Sequence, residues 1–165
     1  MPAIHALLQE LEQEAETTRR VLERVPNDRL AWKPHAKSMS LGQLALHVAM
    51  VPGMVATIAA QPEVQAPEFV HPSAGASAEL VPALNASVAK AKEVLGGLDD
   101  AALGATWRMK RGDLEVLAIP RGALLRSIML NHWYHHRGQL SVYLRELNVP
   151  LPSIYGPSAD ENPFA

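Results

Sequence analysis

Apolar residues recur every three and four positions through four long stretches of this chain, and that period constrains the fold more than any other feature. In the first stretch Ile4, Leu7, Leu8, Leu11, Ala15, Val21, Leu22 and Val25 keep the spacing, which predicts an amphipathic helix with one buried face. Pro26-Asn27-Asp28 stops it. The segment RLAWKPHAKSMS reads as a loop anchored by Trp32, after which Ser40 is suited to cap a second helix from Leu41 to near Gln61. Leu44, Val48, Val51, Val55 and Ile58 line one side of that helix. Pro52 lies in its middle, where a missing N–H and a ring clash should kink or interrupt it at about 3 kcal/mol.

Residues 62–76 are rich in Pro, Ala and Ser and read as an irregular connection. A third helix is predicted from Ser77 to Leu95, with Leu80, Leu84, Val88, Ala91 and Leu95 inward and Gly96-Gly97 ending it. Within residues 98–118, TWRMKRGDLEVLAI predicts a short β-hairpin turning at Arg111-Gly112-Asp113. The fourth helix runs from Arg121 to Leu147, and the tail VPLPSIYGPSADENPFA holds too much Pro and Gly to continue it. The expected fold is all-α: a four-helix bundle in one domain, 1–165, with that hairpin between the third and fourth helices. The long second connection allows an up-down-down-up order without requiring it.

The net charge is −2, with no cluster of Lys and Arg, so no electrostatic footprint for nucleic acid is present. MPAIHALLQELEQEAE interrupts its apolar residues with acidic ones and does not read as a signal peptide. No apolar run is expected to cross a membrane. The chain has no cysteine, which excludes disulfides and thiolate ligands. A soluble, cytoplasmic protein is the expectation.

Seven histidines are present, three of them in NHWYHHRGQL at residues 131–140. With His132 at zero and a turn of about 100° per residue, His136 falls near +40°, Gln139 near −20°, His135 near −60° and Arg137 near +140°. His132, His136 and Gln139 thus share a face with Leu125, Ile128, Met129, Tyr143 and Leu147. His135 lies at its edge, and Arg137 faces away, as a salt-bridge or tail-anchoring residue. Gly138 is expected to admit a close helix. An HxxxH pair brings two imidazoles side by side, and His47, on the inward side of the second helix, is the candidate third donor. If the two helices are antiparallel, His47 and His136 come within about one turn of each other. The spacing alone admits two readings, a metal site or hydrogen-bonded core histidines. His5, His35 and His71 lack partners at useful spacing and are expected to be solvated.

HWYHHRGQL, with SLGQLALHV before it and IYGPSADE after it, resembles the DinB/YfiT-like superfamily of metalloenzymes over nearly the whole chain. HHRGQ and YGPSADE carry the resemblance most specifically. It implies a bundle in up-down-down-up order and a divalent metal, nickel or zinc, held by His47, His132 and His136. It also implies a homodimer. The name is shared with a DNA polymerase, but 165 residues leave no room for polymerase domains.

Three protein ligands with an open position describe a catalytic metal rather than a structural one. Two reactions suit such an ion: hydrolysis by a metal-bound hydroxide, or transfer of a metal-bound thiolate to an electrophile. Characterised relatives lean to the second, with low-molecular-weight thiols such as bacillithiol, mycothiol or glutathione, and S-transfer or thiol-dependent isomerisation is the favoured expectation. A metal-binding scaffold acting in stress response without turnover is the contrasting class. Gln139, His135, Asp160 and Glu161 are candidates for supporting the ligands or binding substrate, the last two also for capping a turn. The expected partner is a small-molecule substrate.

Overall fold

The first stripe folds as its period demands. Ile4, Leu7, Leu11, Ala15, Thr18, Val21 and Leu22 are buried along α1 (Ala3–Leu22), and Val25 is buried just beyond it. The computed structural model describes residues 3–68 and 70–164. Met1, Pro2, Phe69 in the 62–76 connection and Ala165 at the end of the tail lie outside the described residues.

Ser40 caps α2 (Leu41–Ala59) in a reciprocal box. Its Oγ accepts from the Gln43 N–H at 3.2 Å, and Gln43 Oε1 accepts from the Ser40 N–H at 2.9 Å. Contrary to the expected interruption, α2 runs unbroken through Pro52. The bonds around the proline are replaced from outside. Val48 C=O, which a residue at 52 with an N–H would have bonded, accepts from Trp133 Nε1 at 2.7 Å. The Gly53 N–H donates to Ser87 Oγ at 2.8 Å, and that hydroxyl donates to Met50 C=O at 3.0 Å. Gly53 also permits the crossing, since a Cβ there would stand 2.8 Å from the Ser87 carbonyl oxygen.

α2 is also long and apolar enough, at 19 residues and a mean hydropathy of 1.5, to cross a membrane by composition, against the expectation. It is 61% buried among its neighbours, as a core helix is. α3 (Leu80–Gly96) packs on α1 and α2. It buries Leu80, Leu84, Ser87, Ala91 and Leu95, and Val88, expected inward, is half-buried against the same core.

The fold is mostly helical rather than all-α. The predicted hairpin is present as β2 (Thr106–Arg111) and β3 (Leu114–Pro120). Gly112, at φ +60°, takes the left-handed first place of its two-residue turn. The 62–76 connection contributes a third strand, β1 (Glu63–Gln65), parallel to β2, giving a mixed sheet in the order β1-β2-β3. The free backbone edge of β2 needs a partner, and the connection returns along it. Trp107 is fully buried and donates to Ile58 C=O at 3.0 Å, docking the hairpin on the end of α2. A short α4 (Asp100–Gly104), capped by the Asp99 carboxylate, precedes the hairpin and was not expected.

The last helix spans the expected range but changes pitch. α5 (Arg121–Leu124) passes into a π-helical stretch, Leu125–Asn131, and then into α6 (His132–Glu146). The wider turn buries residues five apart, Leu124 with Met129 and Leu125 with Leu130. Ile128, expected in the buried stripe, is therefore 40% exposed. In α6 the buried residues are Trp133, Arg137, Leu140 and Leu144. Arg137, expected to face away, is 1% exposed. Gly138 faces open space and receives no neighbour, contrary to the expected close approach.

The last helix, from α5 through α6, runs antiparallel to α2. At one end Arg121 donates to Ala59 C=O at 2.7 Å, and further along Trp133 reaches Val48 and Tyr143 donates to Met39 C=O at 3.3 Å. Asn148, at φ 59°, turns the chain out of α6.

Candidate metal centre

Trp133 is buried against α2 by the carbonyl that Pro52 leaves free. One residue before each partner in that bond stand His132 and His47. Their Nε2 atoms are 3.1 Å apart, and one turn later His136 joins them, its ring 4.3 Å from that of His132 and 4.6 Å from that of His47. One nitrogen from each of the three lies within 4.8 Å of the others. Proline in α2 and tryptophan in α6 thus set the register that brings the predicted trio together.

All three rings are half-buried at the flank of the α6 core face. Burial, then the neighbouring His136, His132 and His71, pushes the His47 pKa down to about 4. Burial, then His132, brings His136 down to about 4 as well, with the Gln139 bond opposing. His132 is lowered by burial and then by His135. At neutral pH the cluster is uncharged, with lone pairs available.

Gln139 is exposed, yet its Oε1 lies 2.7 Å from His136 Nδ1. An amide oxygen only accepts, so Nδ1 carries the proton and Nε2 keeps its lone pair. Such outer bonds orient a ligating histidine. His135 is exposed, with its ring 5.0 Å from that of His136, and stands outside the trio. Asp160 and Glu161 are engaged elsewhere. Asp160 pairs with Arg145 and accepts from the Leu151 N–H at 2.8 Å, while Glu161 pairs with Arg20 on α1. Both backbone amides donate to Ser158 Oγ, a turn cap that fastens the tail.

His71, expected to be solvated, is exposed but faces the cluster, its ring 5.5 Å from that of His47. No spacing rule reaches it, because its place depends on the path of the 62–76 connection. Gln43 fixes that path by donating to His71 C=O at 2.9 Å, helped by the Ala74 N–H donating to Gly42 C=O at 3.3 Å. His47, Met50, Met54, Val70, His71 and Pro72 line a small groove of about 30 Å³ beside the trio.

The donor set fits a divalent transition metal. Imidazole nitrogens bind zinc at about 2.0–2.1 Å, so two of them on one tetrahedral ion stand about 3.4 Å apart. The 3.1 Å between the Nε2 atoms of His47 and His132 is close to that spacing. Borderline-soft nitrogen donors suit zinc and nickel rather than calcium or magnesium.

The DinB family profile matches residues 1–162. The chain belongs to the DinB family. A relative in the curated proteins, the uncharacterised protein YrdA of Bacillus subtilis (strain 168), is 27% identical over 158 residues, covering 93% of this chain and 89% of YrdA. Among solved structures, a DinB-like protein of Bacillus cereus ATCC 10987 superposes with a TM-score of 0.70 at 21% identity, covering 92% of this chain and 97% of that one. The DinB-like protein YjoA of Bacillus subtilis gives 0.68 at 20% identity, covering 90% of this chain and 96% of that one. These likenesses establish a DinB-like fold, and the three-histidine group within it is consistent with metal binding.

The depressed histidines make the metal-free protein acid-sensitive. Unfolded histidines take up protons near pH 6.5, whereas His47 and His136 in the folded chain do so only near 4. Between those values the unfolded chain binds more protons, so stability falls as pH falls. Urea midpoints of metal-free protein are expected to drop between pH 7 and pH 4.5, and His47→Phe should flatten the slope. An equal slope in both proteins would refute the assignment.

Proposed function

We propose that this DinB-family protein is a metal-dependent enzyme transferring a small-molecule thiol to an electrophile, with His47, His132 and His136 holding nickel or zinc. The observation that carries this reading is three uncharged imidazoles converging beside an open, largely apolar groove. A structural site is normally closed by four protein ligands, whereas three leave a position for a reactant. Bound there, the cation supplies Lewis acidity that acidifies a coordinated thiol or water.

The protein's own residues do the rest. Gln139 holds the His136 tautomer, and Trp133 fixes His132 against His47. Met50 and Met54 give the groove soft, adaptable walls for the apolar part of a substrate. The four long helices α1, α2, α3 and α6 are taken to form an up-down-down-up bundle, supported by the antiparallel α2–α6 register and the long connection before α3.

The test is thiol consumption with a panel of electrophiles, comparing zinc- and nickel-loaded protein with free metal at equal concentration and with His132→Ala. Turnover above the free metal, lost in the variant, is the expected result. Rates that never exceed free metal would defeat the reading. Substrate loss without added thiol would point instead to hydrolysis by the same donor set.

A further inference from the structure

The groove beside the three histidines holds a fourth imidazole that the donor trio does not include. His71 sits on the connection between β1 and α3, and its ring stands edge-to-face with that of His47. The ring separation of 5.5 Å is close to the 5.3 Å between His47 and His132, two members of the trio. Its nitrogens nevertheless fall outside the group that lies within 4.8 Å.

Two features suit this ring to reversible engagement. The main chain at His71 is tied to the first turn of α2 by Gln43, so the side chain is kept within reach of the trio. The ring itself is exposed and, among the described residues, takes no hydrogen bond, so rotation about its side-chain torsions displaces no partner. Imidazole is also the donor type already present, so a fourth would complete a tetrahedral nitrogen set.

We propose that His71 is a fourth, displaceable ligand of the metal centre, closing the open coordination position in the resting protein and yielding it to an incoming small-molecule donor. The inference rests on the three-histidine metal site proposed above. The exchange is one donor for another, so the coordination number is unchanged. A position that is occupied most of the time weakens an incoming ligand by the fraction of time it is free. The connection carrying His71 therefore both walls the groove and guards its floor.

Cobalt(II), with 2-mercaptoethanol as the probe thiol, tests this without any substrate. Wild type and His71→Ala are each loaded with one equivalent of cobalt, and their visible spectra are compared. Both are expected to bind near-stoichiometric metal but with different ligand-field bands, and millimolar imidazole added to His71→Ala should restore the wild-type spectrum. The thiol should bind the variant about tenfold more tightly, as expected if His71 occupies the position about nine-tenths of the time.

Identical spectra and equal thiol affinities would overturn the role of His71 while leaving the three-histidine site intact. A folded His71→Ala that takes no cobalt would overturn displaceability, because the ligand would then be obligatory. Wild type that takes no cobalt would overturn both the inference and the site beneath it.

Discussion

Arg137→Ala is expected to destabilise the protein by about 3–5 kcal/mol, the range for breaking a buried ion pair from one side. The guanidinium is 1% exposed and pairs with Glu14 on α1 at 2.6 Å. It also donates to Thr18 Oγ1 at 3.1 Å and to the Tyr155 hydroxyl at 2.5 Å. The rings of Tyr134 and Tyr155 lie 5.3 Å and 5.1 Å from its central carbon. Arg137 therefore joins α1, α6 and the tail in one contact. Truncation leaves Glu14, only 14% exposed, without its counter-charge and opens a cavity between two aromatic rings.

For a chain of this length that is a fall in Tm of roughly 6–20 °C. Arg137→Lys should recover only part of it, since an ammonium neither forks between acceptors nor stacks as a guanidinium does. Urea denaturation of the three proteins measures the effect. A loss below about 1 kcal/mol for Arg137→Ala would mean that the cluster relaxes without it.

The second large effect concerns the metal. A ligand that binds only the folded chain stabilises it by about 4.1 kcal/mol at a thousandfold excess over its Kd. Zinc or nickel under those conditions is thus expected to raise Tm by about 8–16 °C, and a chelator should reverse the change. His132→Ala removes the imidazole whose Nε2 stands 3.1 Å from that of His47 and should abolish the shift while leaving the metal-free Tm close to wild type, because that ring is only half-buried. A shift of equal size in wild type and His132→Ala would assign the metal to another part of the protein.

Much of the site was legible in the sequence because it depends on local rules. The HxxxH pair needs only helical geometry, and Ser40 announces the start of the helix that carries His47. What escaped depends on contacts between distant segments or on a change of pitch. The wheel assumed α-helical turns through residues 125–131, and the π-helical stretch there invalidated it for Ile128.

Arg137 was assigned outward because it falls near +140° from His132, on the side taken to face away from the core. Its burial depends on Glu14 and Tyr155, 123 and 18 residues away in the chain, which no local pattern discloses. Gly138 was read as a contact and is merely exposed. The continuity of α2 through Pro52 rests on a tryptophan 81 residues downstream and on Ser87 of α3, replacing bonds that local sequence can only count as lost. His71 and β1 share one cause: both are placed by a connection whose composition suggested no structure.

The measurement that tests the metal centre most directly is elemental analysis of tag-free protein after dialysis against a mild chelator, with His132→Ala alongside. Near-stoichiometric nickel or zinc in the wild type, retained or restored on reloading and absent from the variant, is the predicted result. A wild type that remains empty after reloading would make His47, His132 and His136 polar core residues, and the enzymatic reading would fall with the metal.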